Sequence, residues 1–479
     1  MPVGRGGLER DALTALAADA YVYGSPLVRR LSGVQACLQE GCGTLAPAPF
    51  NDFAHADGPA TPGTHVPYAP ADLVDALAQL DLSGGPVRLH VPDTGGAYYV
   101  LQFVDAWSNP FAYLGMRGAG TGGGDLGRRG AGTSGGDLGR RGAGTCAGDW
   151  MVVPPGWAGT VPDVVSGVID APTSVISVLG RLACDGPGDM PRVRALQQEL
   201  TLTHLGDRAH RTGLPATEPG VPGELRFFEE LRVWMADFPP AAADRAYQDR
   251  FQPLGLLEEG ISPYVQAAPG LVRALTRGLA LGRLRVEEAA RRQADGGVPG
   301  AWQTDPHLRD YNLDHAGVGT IDSPEWRVPD REASYLLRAV AARRGRWIPH
   351  GYEAVYAHTA RDSRGRPLDG AHRYVLHLPH PPPVAAFWSV TVYDLPGGHL
   401  VAHAGERCAV GDRTPGLVYG ADGSLTLHLS QERPRDPAAA ANWVPVPAGR
   451  YRPVMRLHLP GQAVLDGSFV IPPVERLET

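Results

Sequence analysis

Alternation of apolar and polar residues predicts short strands in both end regions of this 479-residue chain. In 86–92 every second residue is apolar, and the same period recurs in 374–378, 384–392 and 425–429. Segment 97–107 is apolar or aromatic on both faces, as expected of a central strand. Short strands at roughly 10-residue spacing, separated by Gly, Pro and Asp turns, are typical of antiparallel sandwiches and jelly rolls.

A helical period replaces this alternation in the middle of the chain. It is present in 190–200, 224–235, 241–252, 270–293 and 331–344. Two more helices are predicted before the first strands, one over 8–23 that Gly24-Ser25-Pro26 should end, and a short one over 72–80. We therefore predict an α+β, β-rich fold. Two antiparallel jelly-roll or β-sandwich domains, 1–184 and 346–479, are joined by a helical segment, 185–345.

A glycine-rich repeat with a period of 12 residues occupies 117–149. Each unit contains at most one leucine, so it cannot bury enough apolar area to offset the entropy lost on ordering. Tandem duplication of a hairpin turn explains the repeat better than a phosphate-binding loop, because no strand-to-helix context surrounds it. We predict a flexible loop, lengthened by about 24 residues.

Composition excludes several classes of protein. All 44 basic residues are arginine, which excludes a lysine Schiff base and the lysine of a nucleotide-binding P-loop. A net charge of −7 disfavours binding to nucleic acid or anionic membranes. No Gly-x-Gly-x-x-Gly motif on a βαβ unit is present, so we expect no dinucleotide cofactor, and no other cofactor is indicated.

The cysteines and the apolar runs bear on location. Five scattered cysteines without a Cys-x-x-Cys pair favour a reducing compartment, although Cys37 and Cys42 are close enough in sequence to form a bridge. The N-terminal segment lacks the pattern of a signal peptide, and no apolar run approaches the roughly 20 residues that span a bilayer. We expect a cytoplasmic protein without a membrane partner.

Two charged residues in the N-terminal region are candidates for chemistry. Asp105 shares a predicted strand face with Tyr99, Leu101 and Phe103, and a carboxylate on an apolar face needs a partner or a raised pKa. Arg181 is a natural partner and a candidate for binding an anion. A structural ion pair is the alternative for both residues.

In the C-terminal region the face of Ser389 and Tyr393, opposite Trp388, mixes aromatic rings and hydroxyl groups. Such a face could line a ligand cavity or pack on the helical segment. His377, His428 and His458 lie on polar faces of predicted strands, where an open zinc site and a solvated surface are both conceivable. A weaker second set, His399 and His403 near Arg407, has four-residue spacing. Neither set has convincing ligand spacing, so we assign no metal site.

Several stretches resemble a known pair of families. AYVYGSPLV at 20–28, LDLSGGPVRLHVPD at 80–93 and YYVLQFVDAWSNPFAYLGMR at 98–117 resemble domain of unknown function 1254. PPVAAFWSVTVYD at 382–394 and NWVPVPAGRYRPVMRLHLP at 442–460 resemble its usual partner, domain of unknown function 1214. The resemblance spans nearly the whole chain and implies two jelly-roll-like domains, a helical connection and a homo-oligomer, but no established reaction.

The chain departs from the resembled family at two places. The stretch 70–75 keeps only Asp72 of an Asn-x-Asp-Thr-Leu-Tyr-like motif, and Ala97 stands where the family has arginine before Tyr-Tyr. If those positions form the family's site, the resemblance implies that this member has lost or changed its chemistry.

Our leading hypothesis is a cofactor-independent hydrolase or lyase that acts on a small or medium organic substrate, in specialised metabolism. The candidate catalytic residues are Asp105, Tyr98 and Tyr393, and the candidate substrate-binding residues are Arg181, Arg407, Trp388, Ser389 and Asn109. The alternatives are a non-catalytic protein that binds or sequesters a small molecule, favoured by the departures from the family motif, and a structural assembly protein.

Overall fold

The computed structural model describes residues 5–116, 145–206, 209–295, 300–311, 328, 330–401 and 407–478. Most of the glycine-rich repeat, and His403, lie outside these residues, so the predictions made for them are not addressed by the structure. Within the described part of the chain, no helix combines the length and apolarity needed to cross a bilayer.

The first half of the chain forms two stacked sheets, here called the N-terminal sheet pair. Its strands are β1 (Phe53–His55), β2 (Leu73–Asp81), β3 (Val87–Val91), β4 (Tyr99–Asp105), β5 (Pro110–Gly115), β6 (Gly148–Val153), β7 (Gly167–Asp170), β8 (Val175–Ala183) and β9 (Thr201–His204). One sheet has the order β1-β2-β8-β4-β5 and the other β7-β6-β3-β9, with β6 and β7 parallel and all other neighbours antiparallel. Apolar residues of both sheets share one core, which buries Leu101, Phe103, Leu89 and Val152 completely.

The last part of the chain repeats this arrangement as the C-terminal sheet pair. Its strands are β10 (Ala354–His358), β11 (Tyr374–Leu378), β12 (Val384–Asp394), β13 (Ala409–Gly411), β14 (Leu425–Ser430), β15 (Trp443–Pro445), β16 (Tyr451–Pro460) and β17 (Glu475–Arg476). The sheets β10-β16-β12-β13 and β15-β14-β11-β17 are open and antiparallel, apart from the parallel pair β14–β15. Trp388 and Val390 of one sheet pack on Leu376 and Leu427 of the other.

Helices form a third layer. They are α1 (Arg5–Gln39), α2 (Met190–Glu199), α3 (Arg226–Asp237), α4 (Arg245–Asp249), α5 (Pro269–Asp295) and α6 (Arg331–Arg344), with the short α7 (Pro437–Ala441) and α8 (Gln462–Leu465) in the C-terminal region. Helix α1 packs along α5 and also contacts α3 and α6. The close approach of α1 and α5 depends on Gly278, where an added Cβ would lie 2.3 Å from the Cβ of Ala17.

Two local predictions are wrong. Helix α1 does not end at residues 24–26 but continues through Pro26 to Gln39, because Leu27 and Leu31 in the following turns are completely buried in the helical core. Segment 72–80 is strand β2 rather than a helix. In β2, Val74, Ala76, Ala78 and Leu80 alternate with the polar Asp75, Gln79 and Asp81, and all of these except the half-buried Asp75 are buried.

Candidate functional site

The two sheet pairs meet through the face of β4 that points away from the N-terminal core. Tyr98 and Val100 pack there against Phe387 of β12 and Leu459 of β16. The rings of Tyr98 and Phe387 are 5.3 Å apart in an edge-on arrangement. This apolar contact surrounds a group of polar side chains contributed by both pairs, which we call the interface cluster: Asp72, Asp75, Tyr98, Arg181, Glu353, Arg456 and His458.

A narrow cavity lies within the interface. Its walls are formed by Tyr98, Val100, Gln102, Tyr113, Arg181, Pro349, Glu353, Ala354, Tyr356 and His458. No part of it is wide enough for a water molecule in this structure. The two sheet pairs are therefore closed on each other.

Tyr98 and Glu353 join the two sheet pairs by a buried hydrogen bond. The Tyr98 hydroxyl donates to Glu353 Oε1 at 2.9 Å, across 255 residues of sequence. Burial, reinforced by the negative charge of Glu353, raises the pKa of Tyr98 well above its ordinary value. The phenol is therefore protonated at neutral pH.

Arg181 and Asp75 are cross-strand neighbours on the same face of the N-terminal sheet. The register pairs Asp75 of β2 with Arg181 of β8, and Arg181 with Val100 of β4. Arg181 Nε lies 3.8 Å from Asp75 Oδ1, and Arg181 Nη2 donates to the carbonyl oxygen of Trp347 at 3.3 Å. Burial raises the pKa of Asp75, and the charge of Arg181 opposes that shift.

Arg456 supplies a second guanidinium from β16. Its Nη2 donates to the Tyr393 hydroxyl at 2.7 Å and to the backbone carbonyl of Tyr68 at 2.8 Å. Its Nη1 is buried and has no hydrogen-bond partner among the described residues. The same holds for both carboxylate oxygens of Asp72, which lies just before β2.

His458 is the most deeply buried titratable group of the interface cluster. Its ring stacks on Phe387 with 4.3 Å between centroids and lies 5.2 Å from the ring of Tyr98. Neither ring nitrogen has a hydrogen-bond partner within the part of the chain that the structure describes. Burial, aided by the positive charges of Arg456 and Arg181, lowers the pKa of His458 to about 3, so the imidazole is neutral.

Three of the predicted site residues are brought together here. Tyr98 and Arg181 line the cavity, and Tyr393 holds Arg456 beside it. Ser389 lies on the same face of β12 as Tyr393, and its buried hydroxyl has no hydrogen-bond partner among the described residues.

Trp388 and Arg407 lie elsewhere. Trp388 points to the opposite face of β12 and is packed in the core of the C-terminal sheet pair. Arg407 Nη1 donates to the carbonyl oxygen of Ala441 at 2.8 Å, at the end of α7. Neither residue lines the interface cavity.

Asp105 and Asn109 form a buried turn of their own, and the expected pairing of Asp105 with Arg181 is wrong. The Asn109 backbone N–H donates to Asp105 Oδ1 at 2.8 Å, and its side-chain amide donates to Oδ2 at 3.0 Å. Arg181 is level with Val100, five residues along the strand and on its other face, which separates the two groups by roughly 16 Å. The carboxylate of Asp105 instead acts electrostatically on the buried Arg30.

The three histidines considered as metal ligands do not share one sheet. His377 and His428 belong to the sheet β15-β14-β11-β17, whereas His458 belongs to the other sheet of the C-terminal pair. His377 Nδ1 is 3.0 Å from the hydroxyl of Thr426. Across the described ranges, no group of three or more His, Cys, Asp or Glu side chains is arranged to hold a metal ion.

A larger cleft lies on the surface between the N-terminal sheet pair and α3. It encloses about 770 Å³ and is lined mainly by proline, glycine and other weakly polar residues, with Trp157 and Asp237 among them. Asp237 is already paired with Arg211. The cleft offers surface area but few groups for chemistry, so the interface cluster is the better candidate site.

The sequence interpretation missed several members of the cluster. Asp72 had been noted only as the remnant of a family motif, and Asp75 and Glu353 had not been singled out. His458 is predicted on a polar strand face, and that face, which also carries Arg456, is buried. The sequence does carry a signal for Arg456 and His458: they lie two residues apart on one face of a strand whose other face is fully apolar.

Comparison with known proteins identifies the family. Residues 353–462 match the family described as "Protein of unknown function (DUF1214)". Residues 50–135 and 134–204 match "Protein of unknown function (DUF1254)", in two segments that meet inside the glycine-rich repeat. The chain belongs to the paired DUF1254/DUF1214 family. Among curated proteins, none matches it.

Two solved structures are similar to this family member. The VPA0106 protein from Vibrio parahaemolyticus has 21% sequence identity and a TM-score of 0.72, covering 97% of this chain and 100% of that one. An uncharacterized protein from Burkholderia cenocepacia has 12% identity and a TM-score of 0.40, covering 99% of this chain and 97% of its own. The first likeness shows that the fold is shared.

Proposed function

We propose that the chain is an enzyme of the hydrolase or lyase class whose site is the interface cluster, and that its substrate is a small or medium organic acid. The observation that supports this is the set of buried polar atoms without hydrogen-bond partners among the described residues, on Arg456, Asp72 and His458. Each such atom costs about 1–3 kcal/mol when it stays unpaired. A bound ligand with acceptor and donor groups would recover part of that cost.

The charges and protonation states suggest roles. Arg181 and Arg456 bring two guanidinium groups to one interface, a combination suited to a carboxylate or another planar anion. In the closed interface the Tyr98 hydroxyl donates to Glu353, 2.9 Å away, and when the interface opens it turns to the substrate and serves as the proton donor. His458 is neutral and presents a ring nitrogen that can accept a hydrogen bond from the substrate.

Binding requires the interface to open. Ordinary ligand pockets enclose roughly 300–1,000 Å³, whereas the space at this interface does not admit even a water molecule. In this proposal the sheet pairs separate at β4 and β16 to admit the substrate and then close, which excludes water from the proton transfer.

A non-catalytic binding or sequestering protein is the second candidate. The narrowness of the cavity favours it, because a closed site with no room for water suits a ligand that is held rather than converted and released.

The expectations of jelly-roll topology, of a homo-oligomer, of a cytoplasmic location and of a role in specialised metabolism remain part of the proposal.

The test uses the full chain and two matched sets of probes. Small mono- and dicarboxylic acids, and the corresponding neutral amides, are added in a thermal-shift assay and in an incubation followed by mass spectrometry of the small molecules. We expect some acids, but no amides, to stabilise the protein, by about 2.7 kcal/mol at 100 times the Kd. Arg181→Gln should abolish that stabilisation.

Two further variants separate catalysis from binding. Tyr98→Phe keeps the ring that packs on Phe387 and removes the proton donor, so it should retain binding and lose conversion of the acid. Tyr374→Phe, in the C-terminal core, is the control and should retain both binding and conversion of the acid. Binding without conversion by the unaltered chain would establish the second candidate. Equal stabilisation by acids and amides, or by unaltered protein and Arg181→Gln, would refute the site.

A further inference from the structure

Two cysteines are brought together where α1 ends. Cys37 lies in the last turn of α1, and Cys42 follows three residues after the helix ends at Gln39. Gly41 reverses the chain with φ of 90°, and a side chain there would lie 2.3 Å from the carbonyl oxygen of Leu45. The Cys42 N–H donates to that same oxygen at 3.0 Å, and the Leu45 N–H donates back to the Cys42 carbonyl at 3.1 Å. These two bonds close the turn 42–45 on itself.

Both thiols line one narrow pocket, together with Leu77 and Gln79 of β2. Within it there is room for about one water-sized molecule. Cys37 is buried and Cys42 is partly exposed. A small reagent therefore reaches Cys42 first, with Cys37 behind it.

Two arginines surround this pair with positive charge. Arg30, Gly33 and Cys37 share one face of α1 at helical spacing. Arg346 crosses α1 at Gly33, where an added Cβ would lie 2.5 Å from Arg346 Nη1. Arg30 stacks on Trp347, 4.1 Å from the ring centre, and its buried Nε and Nη2 have no hydrogen-bond partner among the described residues.

The surroundings give the two thiols different roles. A hydrogen bond from Cys37 lowers the pKa of Cys42 to about 6, burial opposes this, and the charges of Arg346 and Arg30 assist it. The same hydrogen bond and burial raise the pKa of Cys37. Cys42 is therefore the nucleophilic thiolate, and Cys37 is the protonated thiol next to it.

We propose that Cys42 and Cys37 form a peroxide-reactive pair that is oxidised to a disulfide. The Cys42 thiolate attacks one oxygen of hydrogen peroxide and the O–O bond breaks, which forms a Cys42 sulfenic acid and releases hydroxide; that hydroxide takes up the proton that Cys42 lost on ionising. The Cys37 sulfur then attacks the Cys42 sulfur, the S–O bond breaks, and the Cys37 proton is transferred to a leaving hydroxide. In total two thiols lose two electrons, and one peroxide is reduced to two waters. A dithiol reductant reverses the reaction by exchange.

The absence of lysine makes the test direct. Trypsin cuts this chain only after arginine, so residues 31–88 form one peptide that contains Cys37 and Cys42 and no other cysteine. The full-length reduced protein is treated with hydrogen peroxide, blocked with N-ethylmaleimide and digested. We expect this peptide to lose two hydrogens and to escape labelling before the peptides of Cys146, Cys184 and Cys408 are oxidised.

Variants separate the two steps. Cys37→Ser should stop at the Cys42 sulfenic acid, which dimedone traps, and Cys42→Ser should leave Cys37 unreactive. Cys146→Ser, which removes an exposed cysteine, is the control and should leave oxidation of the pair unchanged.

Gly33→Ala tests the contribution of Arg346. Alanine is favoured in a helix, and its Cβ meets only the movable end of the Arg346 side chain, so folding should be preserved while the guanidinium is displaced. We expect unaltered Cys42 to react with iodoacetamide at about pH 6 roughly tenfold faster than an ordinary thiol of pKa about 8.5. The variant should lose several-fold of this advantage.

Two outcomes would overturn the proposal. One is alkylation of Cys42 at about pH 6 no faster than that of an ordinary thiol. The other is oxidation of the Cys146 peptide by peroxide with no disulfide in residues 31–88. Either result would show that the two thiols are ordinary buried cysteines that happen to share a pocket.

Discussion

Acidification should destabilise the protein through His458. The unfolded chain binds a proton at this imidazole near pH 6.5, whereas burial in the folded chain lowers the pKa to about 3. Between these two values the unfolded state holds the proton and the folded state does not. Stability is therefore full above about pH 6.5 and falls as the pH decreases.

The magnitude follows from the difference between the two pKa values. Each pH unit below 6.5 costs about 1.4 kcal/mol for one such group, so the loss reaches about 2 to 3 kcal/mol at about pH 4.5. The charge of Asp72 partly offsets the effect of burial, while Arg456, Arg181 and Arg413 add to it. His358, whose pKa burial lowers to about 4, contributes a similar slope of its own.

The variant His458→Phe isolates the contribution of this imidazole to the pH dependence of stability. Phenylalanine keeps a flat ring stacked on Phe387 and removes the titrating group. The slope of the unfolding free energy against pH should therefore correspond to about one proton fewer taken up on unfolding than in the unaltered chain. The measurement is urea unfolding of both proteins at several values between about pH 7 and pH 5. His377→Gln, at the surface, is the control and should leave the slope unchanged. Parallel curves for His458→Phe and the unaltered chain would refute the reasoning.

Three further changes have defined outcomes. Asp105→Asn should lower the unfolding free energy by about 3 kcal/mol, because a carboxylate that holds Asn109 and acts on the buried Arg30 is lost, and acid binding at the interface cluster should persist. Trp388→Ala should cost about 3–5 kcal/mol in chemical unfolding, since the side chain fills the C-terminal core. Deleting one repeat unit, 118–129, should change the Tm by less than about 5 °C, because loop length enters stability only logarithmically; a larger decrease would show that the repeat packs on the body.

The strands were predictable from sequence where one face is apolar and the other is not. Strands β3, β11 and β14 have that pattern, and the structure places each of them in an antiparallel sheet. Strand β2 shows that alternation less clearly, because Leu73 and Leu77 interrupt its polar face, and Leu73, Leu77 and Leu80 also satisfy a helical period. The length of α1 was underestimated because Pro26 is a breaker in local terms, whereas burial of the next two turns outweighs it.

The site was predictable only in part. Tyr98, Arg181 and Tyr393 stand out locally, as polar residues within apolar strands. Glu353 does not, because its role is defined by a contact with a tyrosine 255 residues away in the sequence. Asp105 stood out for the same reason as Tyr98, but it points to the other side of β4, and the strand pattern alone does not say which side holds the second sheet pair.

The polar character of the interface cluster needs an explanation that joining two sheet pairs does not provide. Leu73, Val100, Phe387 and Leu459 show that apolar packing is available at the same interface. Replacing buried charged groups by apolar residues of similar size is often neutral or stabilising, by about 1–4 kcal/mol. A contact that only held the sheet pairs together would therefore be more stable with apolar residues at positions 72 and 458. Polar atoms without partners among the described residues, retained inside an otherwise apolar contact, are expected of a ligand site, and this favours the interface cluster over the larger surface cleft as the proposed site.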